Sequence, residues 1–299
     1  MLLTPHTHTP KGQLTQILVA NDVPFLKSLK LYFYLSHLPL SNPEKGRNVK
    51  KTCSFRQKMK KALHSEICRP MLSEKRRETL GKMYSLVGSH SAVKLCRWQK
   101  SMMRGRGGCY KWTMYGIRSH QCMEATPSMA CANKCTFCWR HGTNPTAKEW
   151  KWDIDEPQPL VDAMISQHQA LVQNCSGMPG VTPESLEQAR MPSHCALSLV
   201  GEPILYPKFN DFLARLHHHK VSTFVVNNGQ FPDALVALGP CTQVYLSVDG
   251  PDKAKMKELD RPIFPDFWER FNASAGMMAR RRDRSVFRLT MIKDYNMDD

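Results

Sequence analysis

Cys131-Ala-Asn-Lys-Cys135-Thr-Phe-Cys138-Trp139 places three cysteines four and then three residues apart in one short polar loop. Three thiolates on such a loop can each hold one iron of a [4Fe–4S] cube and leave the fourth iron open, the arrangement that chelates S-adenosylmethionine (SAM) and starts radical chemistry. A zinc site wants four ligands, often as two CxxC pairs, and a disulfide would leave one of the three cysteines over. The cluster accounts for all three.

Outward from this loop, strand-length runs alternate with helix-like segments. His194 to Val200, Val221 to Asn227, Gln243 to Asp249 and Val286 to Ile292 are short apolar or β-branched runs, and a first strand is expected near Gln121 to Ala125. Between them, Leu160, Met164, Ile165, Leu171 and Val172, then Phe209, Phe212, Leu213 and Leu216, recur at helical spacing. Alternation of this kind predicts an α/β fold of parallel βαβ units with the active site at the C-terminal ends of the strands. The loops that follow the strands carry Gly201-Glu202-Pro203, Asn227-Asn228-Gly229 and Ser247-Val248-Asp249-Gly250. Glycine lets backbone approach a ligand, and Glu202, Asn227, Ser247 and Asp249 offer acceptors and donors for an ammonium group, a carboxylate and ribose hydroxyls. Gly201, Glu202, Asn227, Ser247 and Asp249 are therefore the candidate SAM-binding residues.

The chain has 299 residues, 41% of them hydrophobic, enough for one large domain with a smaller extension. Eleven cysteines without a signal-peptide pattern suit a reducing cytoplasmic compartment, and the apolar stretch Leu31 to Leu40 is too short to span a bilayer. The formal charge of +16 is concentrated: Asn42 to His120 holds 20 Lys and Arg against 4 Asp and Glu, and the remainder balances. Such an excess points to a phosphate backbone, hence a nucleic-acid partner. Part of it, especially Lys45 to Lys61, reads as a solvated tail. In Lys94 to Lys111 and just beyond, Trp98, Tyr110 and Trp112 are interleaved with Arg97, Arg104 and Arg106, planes suited to stacking on an unpaired base. Residues 1–80 show little organisation beyond a short charged helix at Ser73 to Gly81. The expected division is an irregular basic segment (1–80), a segment for a second cluster and RNA (81–125) and the barrel (126–299).

Cys96, Cys109 and Cys122 follow one another at intervals of 13 residues within the basic part. Three thiolates can hold a second cluster, although free cysteines are commonly packed in cores; Cys53, Cys68, Cys175, Cys195 and Cys241 are expected to pack or sit exposed without ligating anything. The residues alone leave open a radical enzyme acting on some RNA, or a basic RNA-binding chain without catalysis.

Gly88 to Trp98, Arg104-Gly-Arg-Gly-Gly-Cys-Tyr-Lys111, Tyr115 to Glu124, Cys131 to His141, His194 to Pro203 and Asp260-Arg-Pro262 together resemble the tRNA 4-demethylwyosine synthase family of radical SAM enzymes. The resemblance spans roughly residues 80 to 299. It implies a partial (β/α)6 radical SAM barrel, a lyase-type condensation of N1-methylguanosine in phenylalanine tRNA with pyruvate, and wybutosine biosynthesis as its setting. It implies a second [4Fe–4S] cluster on Cys96, Cys109 and Cys122, and Lys111 as the catalytic amine that forms a Schiff base with pyruvate. A lysine close to cationic groups is expected to be partly deprotonated. Against this, a lysine in so basic a stretch also suits a phosphate contact. Two departures accompany the resemblance. Residues 1–80 show no flavodoxin-like FMN domain, which calls for an external flavoprotein reductase. The last barrel strand is also missing from the pattern, which predicts an open sheet edge beyond Val286 to Ile292.

Overall fold

The computed structural model describes residues 14–19, 70–138, 142, 144–293 and 295–297. In chain order the elements are β1 (Leu14–Val19), α1 (Glu74–Gly81), β2 (Ser85–Val87), β3 (Ser91–Lys94), α2 (Arg97–Met103), α3 (Tyr110–Tyr115), β4 (Cys122–Thr126), α4 (Pro157–Gln173) and α5 (Pro183–Arg190). They continue with β5 (His194–Leu197), α6 (Phe209–His218), β6 (Ser222–Asn227), α7 (Pro232–Val236), β7 (Gln243–Ser247), α8 (Lys253–Asp260), α9 (Phe267–Met278) and β8 (Arg284–Met291).

The strands form one sheet in the order β1-β8-β7-β6-β5-β4-β3-β2. Strands β4 to β8 run parallel, as the βαβ alternation predicts, and β2 and β3 extend the sheet antiparallel beside β4. The fold is the α/β partial barrel that the resemblance implies. Helix α4 begins with Pro157 at its first turn, where no amide hydrogen is needed, and buries Leu160, Val161, Met164 and Val172. Helix α6 buries Phe209, Phe212, Leu213 and Leu216.

Strand alternation separates the two faces of the sheet. Met123, Ala125, Cys195, Leu197, Val225, Val244, Leu246 and Phe287 join the helices in one apolar core. On the inner face Phe224, Tyr245 and Val286 form a smaller cluster with Tyr110, Ile117 and Val226. That face also carries Cys122, Glu124 and Arg288, the positions between the apolar ones.

Two expectations need correction. Strands β5 and β7 stop at Leu197 and Ser247 rather than Val200 and Asp249, because the residues beyond leave the sheet to form site loops. Within residues 1–80 the described elements are the strand Leu14–Val19 and α1, which occupies the expected charged helix. The far edge of β8 is not open, since β1 pairs with it antiparallel from Leu14 against Met291 to Val19 against Val286. That pairing satisfies backbone groups that an exposed edge strand would leave free. Among the described residues no helix is long and apolar enough to cross a membrane. Cys53, Cys68, Leu31 to Leu40 and Lys45 to Lys61 lie outside the described residues.

Candidate active site

The cysteine loop leaves β4 and is tied down on both sides. Cys131 bridges to Thr146, with its amide donating to the Pro145 carbonyl at 3.2 Å. The amides of Lys134 and Thr136 donate to Asp260 and Leu259 at the end of α8, at 2.9 and 2.8 Å. Cys131 is buried, whereas Cys135 and Cys138 are half-buried. The Cys131 sulfur accepts from the Asn133 amide at 3.4 Å and from Asn228 Nδ2 at 3.5 Å, donors that favour a thiolate. Burial, then Asp260 and the neighbouring Cys131, push the Cys135 thiol well above its ordinary range, so iron ligation there must displace a proton. Among the described residues no three His, Cys, Asp or Glu side chains converge on a single ion. A cubane asks for no such convergence, because each thiolate takes its own iron.

Cys131, Cys135 and Cys138 line one inner cavity of about 110 Å3 together with Gly201, Glu202, Asn227, Ser247 and Asp249, so the strand-end residues singled out in the sequence meet at the cysteine loop. Gly201 has a φ of +73°, and a Cβ there would collide with the Ser128 carbonyl and the Met129 backbone. Glu202 is buried; its Oε2 accepts from the Asn228 amide at 2.9 Å, and Oε1 has no hydrogen-bond partner. Burial pushes Glu202 up to about 8. Asp249 Oδ1 accepts from the Thr290 amide at 3.1 Å. Burial and then the nearby Asp249 drive Asp260 well above the carboxylate range. A buried acceptor with an empty valence and two further carboxyls suit a ligand that brings positive charge, as the ammonium and sulfonium of SAM do.

Asn227 lines the same cavity and is also hydrogen-bonded within its own turn. Its Nδ2 donates to the Tyr245 carbonyl at 2.7 Å and its Oδ1 accepts from the Gly229 amide at 3.0 Å, so it shapes the turn. Its neighbour Asn228 reaches the Cys131 sulfur instead.

The second set of cysteines comes from three elements. Cys96 caps α2, accepting from the Gln99 amide at 3.4 Å, Cys109 precedes α3, and Cys122 opens β4. Ser119 holds Cys109: its Oγ accepts from the Cys109 amide at 2.9 Å and donates to the Cys109 sulfur at 3.4 Å. Lys111 stands among the three, its charge acting on Cys96 and Cys122. Its Nζ lies 5.0 Å from the Tyr110 ring and 5.9 Å from that of Phe224, so it points into the barrel and not outward to a phosphate. Burial works to lower its pKa, but Tyr110, Cys122, Cys109 and Cys96 raise it well above the ordinary lysine value. The groups that reach the amine are acids, not the arginines and lysines of the same stretch. Burial likewise pushes Cys96 up to about 12 and Cys122 to about 11.

Cys122 and the cysteine loop lie at opposite ends of β4, which spans about 13 Å at the usual rise per residue. Glu124 stands between them, with Lys111, Lys94 and Arg288 around it. Outside the barrel, Trp112 is exposed, and Arg97 stacks over Trp98 at 4.8 Å.

Residues 126–299 match the Radical SAM superfamily. A solved structure, "Structure of TYW1 with a lysine-pyruvate adduct bound", superposes with a TM-score of 0.67 at 31% identity, covering 76% of this chain and 74% of that one. The chain belongs to the tRNA 4-demethylwyosine synthase family of radical SAM proteins. A crystal structure of archaeal TYW1 gives a TM-score of 0.61 at 30% identity over 76% of each chain. The S-adenosyl-L-methionine-dependent tRNA 4-demethylwyosine synthase TYW1 of Xenopus laevis is 52% identical over 239 residues, 80% of this chain and 32% of that protein. The synthase of Oryza sativa is 55% identical over 216 residues, 72% of this chain and 33% of that protein. The chain thus spans about a third of the length of these curated relatives.

In this member of the synthase family, the sequence reading overlooked Asn228, Asp260, Glu124 and Arg288. Asn228 adjoins a residue that was selected, and Asp260 lies in the Asp-Arg-Pro run used for the resemblance, so both had a local signal. Glu124 and Arg288 had only their place in strand alternation. Cys175, Cys195 and Cys241 are buried, as expected of packed cysteines.

Proposed function

We propose that this chain carries the catalytic core of a tRNA 4-demethylwyosine synthase, a carbon–carbon lyase that condenses N1-methylguanosine of phenylalanine tRNA with pyruvate in the cytoplasm. The observation that carries the reading is the placement of two cysteine triads at opposite ends of one barrel interior, with Lys111 inside the second. A [4Fe–4S] cluster with SAM at its open iron supplies a carbon radical able to take a hydrogen atom from an N-methyl group, which has no acidic proton for a base.

This chain's residues do the rest. Cys131, Cys135 and Cys138 hold that cluster. Glu202 Oε1 accepts the SAM ammonium, Gly201 lets the ligand approach the backbone, and Ser247 and Asp249 face its hydroxyls. Asn227 holds the turn that brings Asn228 to Cys131. Cys96, Cys109 and Cys122 would hold a second cluster, and Lys111 among them would bind the keto acid. Lys111 must pass its proton away before Nζ attacks the keto carbon, and Glu124 is the carboxyl whose charge reaches it. The base enters the interior between the two triads, while Trp98, Trp112 and the arginines around them take RNA outside.

Anaerobic turnover with phenylalanine tRNA that carries or lacks N1-methylguanosine tests this. Product is expected only from the methylated RNA, and equal turnover of the unmethylated RNA would replace this reading with another RNA-modifying radical reaction.

A further inference from the structure

Lys111 is carried by a helix that has little to hold it in place by itself. Helix α3 is six residues long, none of them fully buried, and no side-chain hydrogen bond caps its start. Two tyrosines, its first and last residues, join it to the sheet. The Tyr110 hydroxyl donates to the Tyr245 hydroxyl at 3.3 Å, and the Tyr115 hydroxyl accepts from Gln243 Nε2 at 3.4 Å. Gln243 and Tyr245 stand two apart on β7 and so share one face of the sheet. The helix is thus bound at both ends to a single strand.

Strand β7 is a firm support. It lies between β6 and β8, parallel to both, with Tyr245 opposite Val226 on one side and Val286 on the other. Tyr245 is completely buried and shares an apolar cluster with Phe224 and Val286, against which Tyr110 and Ile117 pack. Two rings of this cluster, Tyr110 and Phe224, are those that the Lys111 amine faces, at 5.0 and 5.9 Å. The main chain of Tyr245 serves the other end of the barrel. Its carbonyl accepts from Asn227 Nδ2 at 2.7 Å, and Asn227 Oδ1 accepts from the Gly229 amide in the turn from which Asn228 reaches the Cys131 sulfur.

We propose that Tyr245 is a positioning residue: through the Tyr110 hydroxyl it fixes the Lys111 amine at a set distance from the turn beside the SAM cavity. The proposal rests on the reading of Lys111 as the amine that takes up pyruvate, and deepens it. A carbon radical formed at one end of the barrel has to meet a keto acid tethered at the other, and a misplacement of about 1 Å can cost about a hundredfold in rate. A strand paired along both edges keeps such a distance, whereas a helix of six residues has no stability of its own to do so.

The test is a cycle of two hydroxyl deletions. Tyr245→Phe keeps the ring and the carbonyl bond to Asn227, and Tyr110→Phe removes the partner hydroxyl. In each reconstituted single variant, pyruvate trapped by borohydride at limiting pyruvate, and product formed per SAM cleaved, are expected to fall about fivefold, the effect of one buried hydrogen bond. Iron content should stay at the parent value. The double variant should be no worse than either single one, because both lose the same contact. Amide hydrogen exchange over residues 110–116 should quicken in all three variants, with that of β6 and β7 unchanged. Unchanged exchange in Tyr245→Phe overturns the proposal, as do effects that add in the double variant. Faster exchange with undiminished trapping overturns it too, since the contact would then support the helix without directing the amine. If the parent chain itself traps no pyruvate, the reading of Lys111 fails by itself, and exchange still decides whether Tyr245 holds its helix.

Discussion

The two cysteine triads differ in how they are made. The first lies within eight residues of one loop, pinned by α8 and the Thr146 bridge. The second is gathered from two helix caps and the first residue of a strand, and exists only when α2, α3 and β4 pack together. The first opens on a cavity with buried carboxyls suited to a cationic ligand; the second encloses a cation, Lys111. The difference teaches that a triad written into one loop is fixed by local spacing, whereas a triad gathered from three elements is fixed only by their packing.

The largest effects should come from breaking the triads separately. Replacing Cys131, Cys135 and Cys138 by alanine should lower iron from about eight to about four per chain and abolish SAM cleavage while sparing tRNA binding, as expected of two four-iron clusters. Replacing Cys96, Cys109 and Cys122 should remove the same amount of iron yet leave SAM cleavage measurable and product absent. Loss of both activities in both variants would erase the distinction between the two ends.

Lys111→Arg keeps the charge among the sulfurs and removes the nucleophile. Product should fall below detection with SAM cleavage retained, and borohydride should trap pyruvate on the parent chain but not on this variant; trapping on both would assign the amine elsewhere.

Glu202→Gln should weaken SAM binding about tenfold or more, the loss of a charge-assisted hydrogen bond. Its pH behaviour sharpens the contrast. Burial raises Glu202 from 4.5 to about 8, so the folded chain binds the proton more tightly than the unfolded one. Its contribution to stability is therefore present below about 4.5, erodes as pH rises between these values, and is constant above about 8. The variant should lack this slope in denaturant melts taken across that window.

The smallest effect belongs outside the barrel. Trp112→Ala should reduce tRNA affinity several-fold, in line with about 1–3 kcal/mol for a stacked base, without altering the salt slope or the melting temperature. An unchanged affinity would move the stacking role to Trp98.

Cys131, Cys135 and Cys138 were legible because covalent spacing alone puts three thiols on one loop. The strands were legible because alternation is written along each segment, and the basic patch because charge simply adds. Gly201, Glu202, Ser247 and Asp249 were legible as strand-end polar residues, and the fold brought them to one cavity. What only the tertiary structure decided depends on contacts between distant segments. Packing determines that Cys96, Cys109 and Cys122 share one place, that Lys111 points inward, and that Asn228 reaches the Cys131 sulfur. Pairing with β8 likewise makes Leu14–Val19 a strand, although its local sequence shows little order. Burial and cross-strand neighbours set those outcomes, and neither is a property of any short stretch of chain.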